Sequence, residues 1–411
     1  MNDIIKKQIL QDCNAIDLDD LETFISNEQI TLDEFVDAGL DFDKIKKIKE
    51  LTAEVAARKK EEHQTRKKEE AELLKQQENA SKKQEILQNI LLDKISADDI
   101  KKAVVDKLVS VSDIENLEIN PRIKKALLNY IESPSSLSSF SINELPVMQE
   151  GRTDIYCIGL AGTGKTTMLT GLLKSAQHQG KTIPDTYAGS QGINFSNTII
   201  QNLNRGFIPP RTKDGTYIYV PMTIKDDKGI SHPLNIVDVP GEIFRKISEN
   251  GEANQFLKYI KNSNKKIFFI VIDPYLHYNP TKDSLDQSLV YPNILQILKS
   301  EGIAEHIDAV YLVTNKFDYL KDNEYPFDDR EDGDIALEFI NNNFKALITN
   351  CLDVKEHSRY NFEVKSLPFS IGKLKWGAVL EEFDTKFSET LLEILINDSF
   401  VVKGGAGKIW K

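Results

Sequence analysis

The residues with the strongest chemical content form the run Gly159-Leu160-Ala161-Gly162-Thr163-Gly164-Lys165-Thr166, a complete G-x-x-x-x-G-K-[ST] pattern. Glycines in such a run let successive backbone N–H groups turn toward phosphate oxygens, and a following helix adds its positive N-terminal end. Lys165 is then placed to bridge β- and γ-phosphates, and the Thr166 hydroxyl to take a position on Mg²⁺. The setting adds weight. Asp154–Leu160 alternates toward a buried strand, and Thr167-Met168-Leu169-Thr170-Gly171-Leu172 begins a plausible helix.

Two further groups lie at the ends of apolar runs. Pro233–Asp238 reads as a strand that ends in Asp238-x-x-Gly241. A carboxylate there can hold Mg²⁺ through water, and the Gly241 N–H can meet a γ-phosphate. The run Ala309–Thr314 leads into Asn315-Lys316-Phe317-Asp318. Asp318 can accept two parallel hydrogen bonds from the N1–H and 2-amino group of guanine, donors that adenine does not present in that arrangement. An unpaired charged acceptor would then set the two purines apart by several kcal/mol. Asn315 is expected to brace the phosphate loop, and the Lys316 stem to cover the base. A fourth strand, Val364–Ser370, ends in Ser370-Ile371-Gly372, similar to a short element whose backbone N–H meets guanine O6.

With three motifs at strand ends and in this order, residues 152–400 resemble the translation-factor-related class of P-loop GTPases, which includes the Ras-like proteins. Their order and glycine pattern also look like bacterial regulatory GTPases of conflict and signalling systems. The resemblance implies a doubly wound, mostly parallel α/β sheet with helices on both faces and the nucleotide across the strand C-terminal ends. It implies GTP and GDP as ligands, Mg²⁺ as cofactor and hydrolysis of GTP as the reaction.

Departures from that class matter as much. Glu242 follows the D-x-x-G glycine where Ras-like proteins carry a catalytic glutamine. A carboxylate beside a γ-phosphate is repelled and orients water poorly unless it is protonated or turned outward. Slow or partner-stimulated hydrolysis is expected, with a non-hydrolysing GTP-binding scaffold as the alternative. Ala161 stands where Ras-like proteins carry the glycine that leaves room for an inserted arginine. Two threonines, Thr212 and Thr216, are candidates for the magnesium-binding switch residue. Thr212 is favoured by its place after Pro209-Pro210-Arg211, Thr216 by its spacing to the next strand. Arg211 is a candidate for neutralising transition-state charge in cis, or is a solvated loop arginine.

The elements that must position these groups divide the chain near residue 150. No glycine occurs between Gly39 and Gly151, and this stretch is rich in Lys, Glu, Gln and Leu, which favour helix. An all-helical adaptor region is expected over 1–132, a Ser/Pro-rich linker over 133–150, the GTPase domain over 151–399 and a tail over 400–411. Within the adaptor, shifting the chain by 79 residues lays Asp17–Phe35 on Ser96–Ile114. Asp19/Asp98, Leu21/Ile100, Ile25/Val104, Ile30/Val109, Thr31/Ser110 and Phe35/Ile114 agree in type. Two similar helical units, at about 10–50 and 90–131, are therefore expected, with Thr31 and Ser110 as helix caps. A charged helix over 44–92 joins them, a spacer or weak coiled coil.

Composition limits the partners. The 52 Lys and Arg against 64 Asp and Glu give a net charge of −12, which argues against general nucleic-acid binding. The longest purely apolar run, Ile267–Ile272, falls far short of the ~20 residues of a membrane span. The N-terminal residues carry no signal-peptide pattern, and three widely spaced cysteines (Cys13, Cys157 and Cys351) fit reduced thiols. A cytoplasmic protein is expected, with a protein partner reached through the helical region or a second copy of the chain. The acidic run Asp328–Asp334 reads as a solvated loop.

Overall fold

The computed structural model describes residues 3–27, 29–134, 139–184, 190–210, 212, 215–241, 243, 254–280 and 285–400. Its contacts divide the chain into two units, Met1–Glu85 and Ile86–Lys411. In the first, α1 (Asp3–Gln11), α2 (Leu18–Ser26), α3 (Leu32–Asp37) and the start of α4 (Phe42–Leu91) close around Cys13, Leu21, Ile30, Phe35, Leu40 and Ile48. In the second, the end of α4 is followed by α5 (Ala97–Val105), α6 (Val111–Glu115) and α7 (Pro121–Glu132).

Helices α2, α3 and α4 begin at residues 18, 32 and 42, and α5, α6 and α7 at 97, 111 and 121, each 79 later. Local chemistry sets these starts. Asp17 accepts from the Asp20 N–H at 2.9 Å and Ser96 from the Asp99 N–H at 3.1 Å. Thr31 with Glu34 and Ser110 with Asp113 form reciprocal capping boxes, so helix-end N–H groups that lack a backbone partner are satisfied at equivalent places. The buried pairs Leu21/Ile100, Ile30/Val109, Phe35/Ile114 and Ile48/Leu127 share the same offset.

The rest of the second unit is built on a seven-stranded sheet, ordered β2-β3-β4-β1-β5-β6-β7. The strands are β1 (Thr153–Ile158), β2 (Thr182–Pro184), β3 (Ile218–Lys225), β4 (Ser231–Asp238), β5 (Lys265–Ile272), β6 (Ile307–Asn315) and β7 (Val364–Phe369). From β4 to β7 every pairing is parallel, while β2 and β3 add antiparallel edges. β1, β5 and β6 are buried almost throughout, as strands covered on both faces require. After β1 comes α8 (Lys165–His178), against which α9 (Ser190–Asn204) and the helix Lys386–Phe400 pack. The register Cys157↔Asp238 sets the carboxylate end of β4 beside the start of the phosphate loop. All three thiols are buried and free, and burial pushes Cys157 well up and Cys351 to about 12.

Contacts divide the chain earlier than composition suggests. Ile90, Ala97, Ile100, Ala126, Leu127 and Tyr130 share one apolar cluster with Phe207, Trp376, Ala378 and Val379. Trp376 and its neighbours belong to a hairpin, β8 (Gly372–Lys375) and β9 (Val379–Phe383). Its indole Nε1–H donates to the Ile90 carbonyl at 2.8 Å, and its backbone N–H to Asp93 Oδ1 at 2.7 Å. The core of the second helical unit is thus continuous with this surface. Helix propensity is a local property and does not register such pairing. The Ser/Pro-rich stretch is also laid down from residue 139: Phe140 bridges Tyr217, while Leu145 and Met148 enter the main core. None of the described helices is long and apolar enough to cross a membrane.

Trp376→Ala removes a buried indole and its donor together. It should lower the stability of the full chain by about 3–5 kcal/mol in urea unfolding.

Candidate functional site

The phosphate loop leaves β1 at Gly159 and enters α8 at Lys165. Its curl is held by its own side chains: Thr163 Oγ1–H donates to the Leu160 carbonyl at 2.9 Å. Lys165 Nζ donates to the Gly159 and Leu160 carbonyls at 2.8 and 3.1 Å. The lysine is therefore folded over the loop, its ammonium at the lip where phosphate charge would lie. Ala161 and Gly162 form the exposed tip of the loop, and Gly164 and Thr167 line the same cavity behind it. From below, the Tyr291 hydroxyl donates to the Val271 carbonyl at 2.8 Å and accepts from the Leu160 N–H at 3.3 Å. That anchor ties the loop to β5.

Two strand ends converge on this loop, with the turn that follows one of them. Asn315, at the end of β6, donates from Nδ2 to the Thr163 carbonyl at 2.6 Å. Asp238, at the end of β4, accepts from Thr166 Oγ1–H at 2.6 Å through Oδ2. Gly241 rests directly on the loop backbone: a Cβ there would lie 2.2 Å from the Ala161 nitrogen, so only glycine fits. The Thr166 hydroxyl is also 3.1 Å from that of Thr212. Both Thr212 and Thr216 line the cavity of about 270 Å³ that these groups enclose. Arg211 and Glu242 lie outside the described residues.

Asp238 Oδ1 is buried and has no hydrogen-bond partner among the described residues. An ionised carboxylate oxygen left in that state is costly. Burial accordingly raises the Asp238 pKa, opposed by the Lys165 charge and the Thr166 hydrogen bond. A hard cation takes oxygen ligands, and Mg²⁺ characteristically uses one or two carboxylates or hydroxyls together with substrate phosphates and water. One orphaned carboxylate oxygen beside two threonine hydroxyls fits that ion. No group of three or more His, Cys, Asp or Glu placed to hold a metal ion occurs among the described residues.

The opposite end of the site follows β6 and β7. Lys316, left-handed at φ 53°, turns the chain so that Asp318 is exposed at the start of the next helix. Ser370 Oγ–H donates to Asp318 Oδ1 at 2.7 Å, and Ile371 is buried beneath. Lys316 Nζ pairs with the buried Asp273 at 2.6 Å. Gln287 in turn clamps Asp273 by a pair of backbone hydrogen bonds, both 2.9 Å. Sequence reading missed Asp273, Gln287 and Tyr291, which act only through tertiary contacts. It also missed Asp98 and Tyr130, which reach the phosphate cavity from the second helical unit.

A parallel sheet with a phosphate loop after its central strand, and D-x-x-G and N-K-x-D elements at neighbouring strand ends, is the fold of a P-loop GTPase. Residues 156–299 match the family model described as Double-GTPase 1, a match that leaves out the helical region. The solved structures to which the chain is similar include the signal recognition particle receptor SRb-GTP/SRX complex from Chaetomium thermophilum. Identity there is 13% and the TM-score 0.34, with 60% of this chain and 99% of that chain covered, a likeness too remote to inform function. Among curated proteins, nothing matches this chain.

Because its pKa is raised on folding, the Asp238 carboxylate lowers stability at neutral pH, a cost that fades as pH falls through the raised value. In protein freed of nucleotide and metal, Asp238→Asn should therefore gain roughly 1–3 kcal/mol at pH 7. Thermal melts from pH 5 to 8 should show that gain shrink toward the acid end.

Proposed function

We propose that this chain is a guanine-nucleotide switch that binds GTP and GDP with Mg²⁺ and hydrolyses GTP slowly to GDP and phosphate. The observation that carries the reading is one connection. The N-K-x-D element braces the phosphate loop through Asn315, and three residues on it presents the Asp318 carboxylate, held by Ser370. A loop shaped for a triphosphate and a carboxylate suited to guanine thus belong to one rigid arrangement.

In this reading Lys165 and the loop N–H groups bind the β- and γ-phosphates, and stabilise charge as water attacks in line. Thr166, Asp238 and Thr212 would hold Mg²⁺, whose charge would offset that of the bound phosphates. Asp318 selects guanine, and the Lys316 stem covers the base. Triphosphate orders the segment around Thr212 and Gly241, and hydrolysis releases it. The helical region carries the nucleotide state to a protein partner or to a second copy of the chain. The Glu242 position favours one other reading, a scaffold that holds GTP without turning it over. Phosphate release in a single turnover with Mg²⁺ separates the two, since a rate equal to that of free GTP in solution would support the scaffold.

Lys165→Ala should abolish binding of GTP and GDP in calorimetry; retained affinity would overturn the phosphate site. Asp318→Asn should weaken GTP by two or more orders of magnitude, roughly the loss of a charged hydrogen-bond pair. The same variant should admit xanthosine triphosphate in competition binding.

A further inference from the structure

The second helical unit supplies part of the wall of the phosphate cavity, where Asp98 of α5 and Tyr130 of α7 line the pocket together with Thr212. The two side chains form one unit. The Tyr130 hydroxyl donates to Asp98 Oδ1 at 2.5 Å. The tyrosine is only 3% exposed, whereas Asp98 is exposed. Burial, then the Asp98 hydrogen bond and charge, push the phenol pKa well above its ordinary value, so Tyr130 remains a proton donor.

The same tyrosine holds the segment that leads to Thr212. Its ring meets Phe207 edge-on, with centroids 5.6 Å apart, and Phe207 is fully buried. The chain on either side of Phe207 is fixed. Asn129 Nδ2 donates to the Arg205 carbonyl at 3.3 Å, and the Leu380 N–H to the Gly206 carbonyl at 2.7 Å. The Ile208 N–H donates to the Ala378 carbonyl at 2.9 Å. Gly206 has φ 91°, and a Cβ there would come within 2.8 Å of the Ala126 methyl, so α7 lies against bare backbone. Between this anchor and Thr212 stand Pro209 and Pro210, whose rings restrict the backbone.

We propose that the Asp98–Tyr130 pair is the sensor through which the helical unit reads a γ-phosphate in this cavity. The inference rests on the GTP reading above. The Tyr130 hydroxyl has one proton to donate and, once a triphosphate is bound, would have two anionic acceptors, Asp98 and the terminal phosphate. Asp98 repels that phosphate, while a phosphate that takes the hydroxyl deprives Asp98 of that hydrogen bond and leaves it the Lys101 charge nearby. GDP, ending one phosphate short, leaves the Tyr130–Asp98 bond intact. Triphosphate thus sets a competition whose outcome changes how α5 and α7 are tied together, and Tyr130 carries that change to Phe207.

The test uses the full chain, binding GDP and the slowly hydrolysed analogue GTPγS, with melting curves to establish folding. Tyr130→Phe should weaken GTPγS by about tenfold to a hundredfold, the range for a hydrogen bond to a charged group, while GDP affinity changes little. Asp98→Asn keeps a partner for Tyr130 and removes the repulsion, so it should raise GTPγS affinity severalfold relative to GDP. Amide exchange across residues 121–132 should differ between the GDP and GTPγS forms of the wild type and converge in Tyr130→Phe. If wild type discriminates the nucleotides and both variants keep its ratio of affinities, the sensor is wrong and the GTP reading stands. If wild type binds neither nucleotide, both fall. Should Tyr130→Phe melt early, the substitution at exposed Asp98 decides by the same ratio.

Discussion

The hydrogen bond from Asn315 Nδ2 to the Thr163 carbonyl joins two motifs 152 residues apart in sequence. A single buried bond of this kind contributes only about 1 kcal/mol net to stability. Its geometric effect is larger, because Thr163 lies in the middle of the loop whose N–H groups must point outward together. With that carbonyl held from β6, and Leu160 held by Tyr291, whose hydroxyl is bonded in turn to the Val271 carbonyl of β5, the loop is curved before any ligand arrives. Gly241 closes the third side by lying against the Ala161 backbone. The site is thus a loop clamped by strand ends, and the sheet's parallel order is what brings those ends to one edge.

Within this rigid frame one group is left in an unfavourable state. Asp238 has one oxygen satisfied by Thr166 and the other buried without a partner among the described residues. Another buried carboxylate of this unit is well served. Asp154, at the far end of β1, accepts from Asn235, Asn262 and Asn264 at 2.7–3.0 Å, with the Lys266 charge nearby. Lys266 itself, lowered to about 8 by burial, donates to the Asn262 and Asn264 carbonyls. The contrast between two buried carboxylates in one sheet is what motivates the proposal that Asp238 holds a cation.

How far the sequence disclosed this depends on whether the information is local. The phosphate loop, Asp238 with Gly241, and Asn315 with Asp318 are each complete within a few residues, and each follows an apolar strand. Their types and spacing therefore named both the fold and most of the site. The helix caps at Thr31 and Ser110 were legible for the same reason, since a cap needs only three residues. Asp98, Tyr130, Phe207 and Trp376 carry no such local mark. In sequence Asp98 is one more acid in a helix start and Trp376 a lone aromatic in a hairpin, and only tertiary packing gives them meaning. The choice between Thr212 and Thr216 lay between these cases. Spacing favoured one and loop character the other, and the hydroxyl beside Thr166 is that of Thr212.

The shared apolar cluster has a consequence for how the chain is made. Ile90 and Trp376 touch through a hydrogen bond that spans 286 residues. A ribosome working at about 5–20 residues per second needs roughly a quarter of a minute to a minute to cover that distance. During this interval α5 and α7 have left the ribosome, yet the hairpin that completes their core does not exist. Their sticky face must wait, uncovered, for the far end of the same polypeptide, so birth rather than maturity is when this protein is most exposed to aggregation or in need of a chaperone.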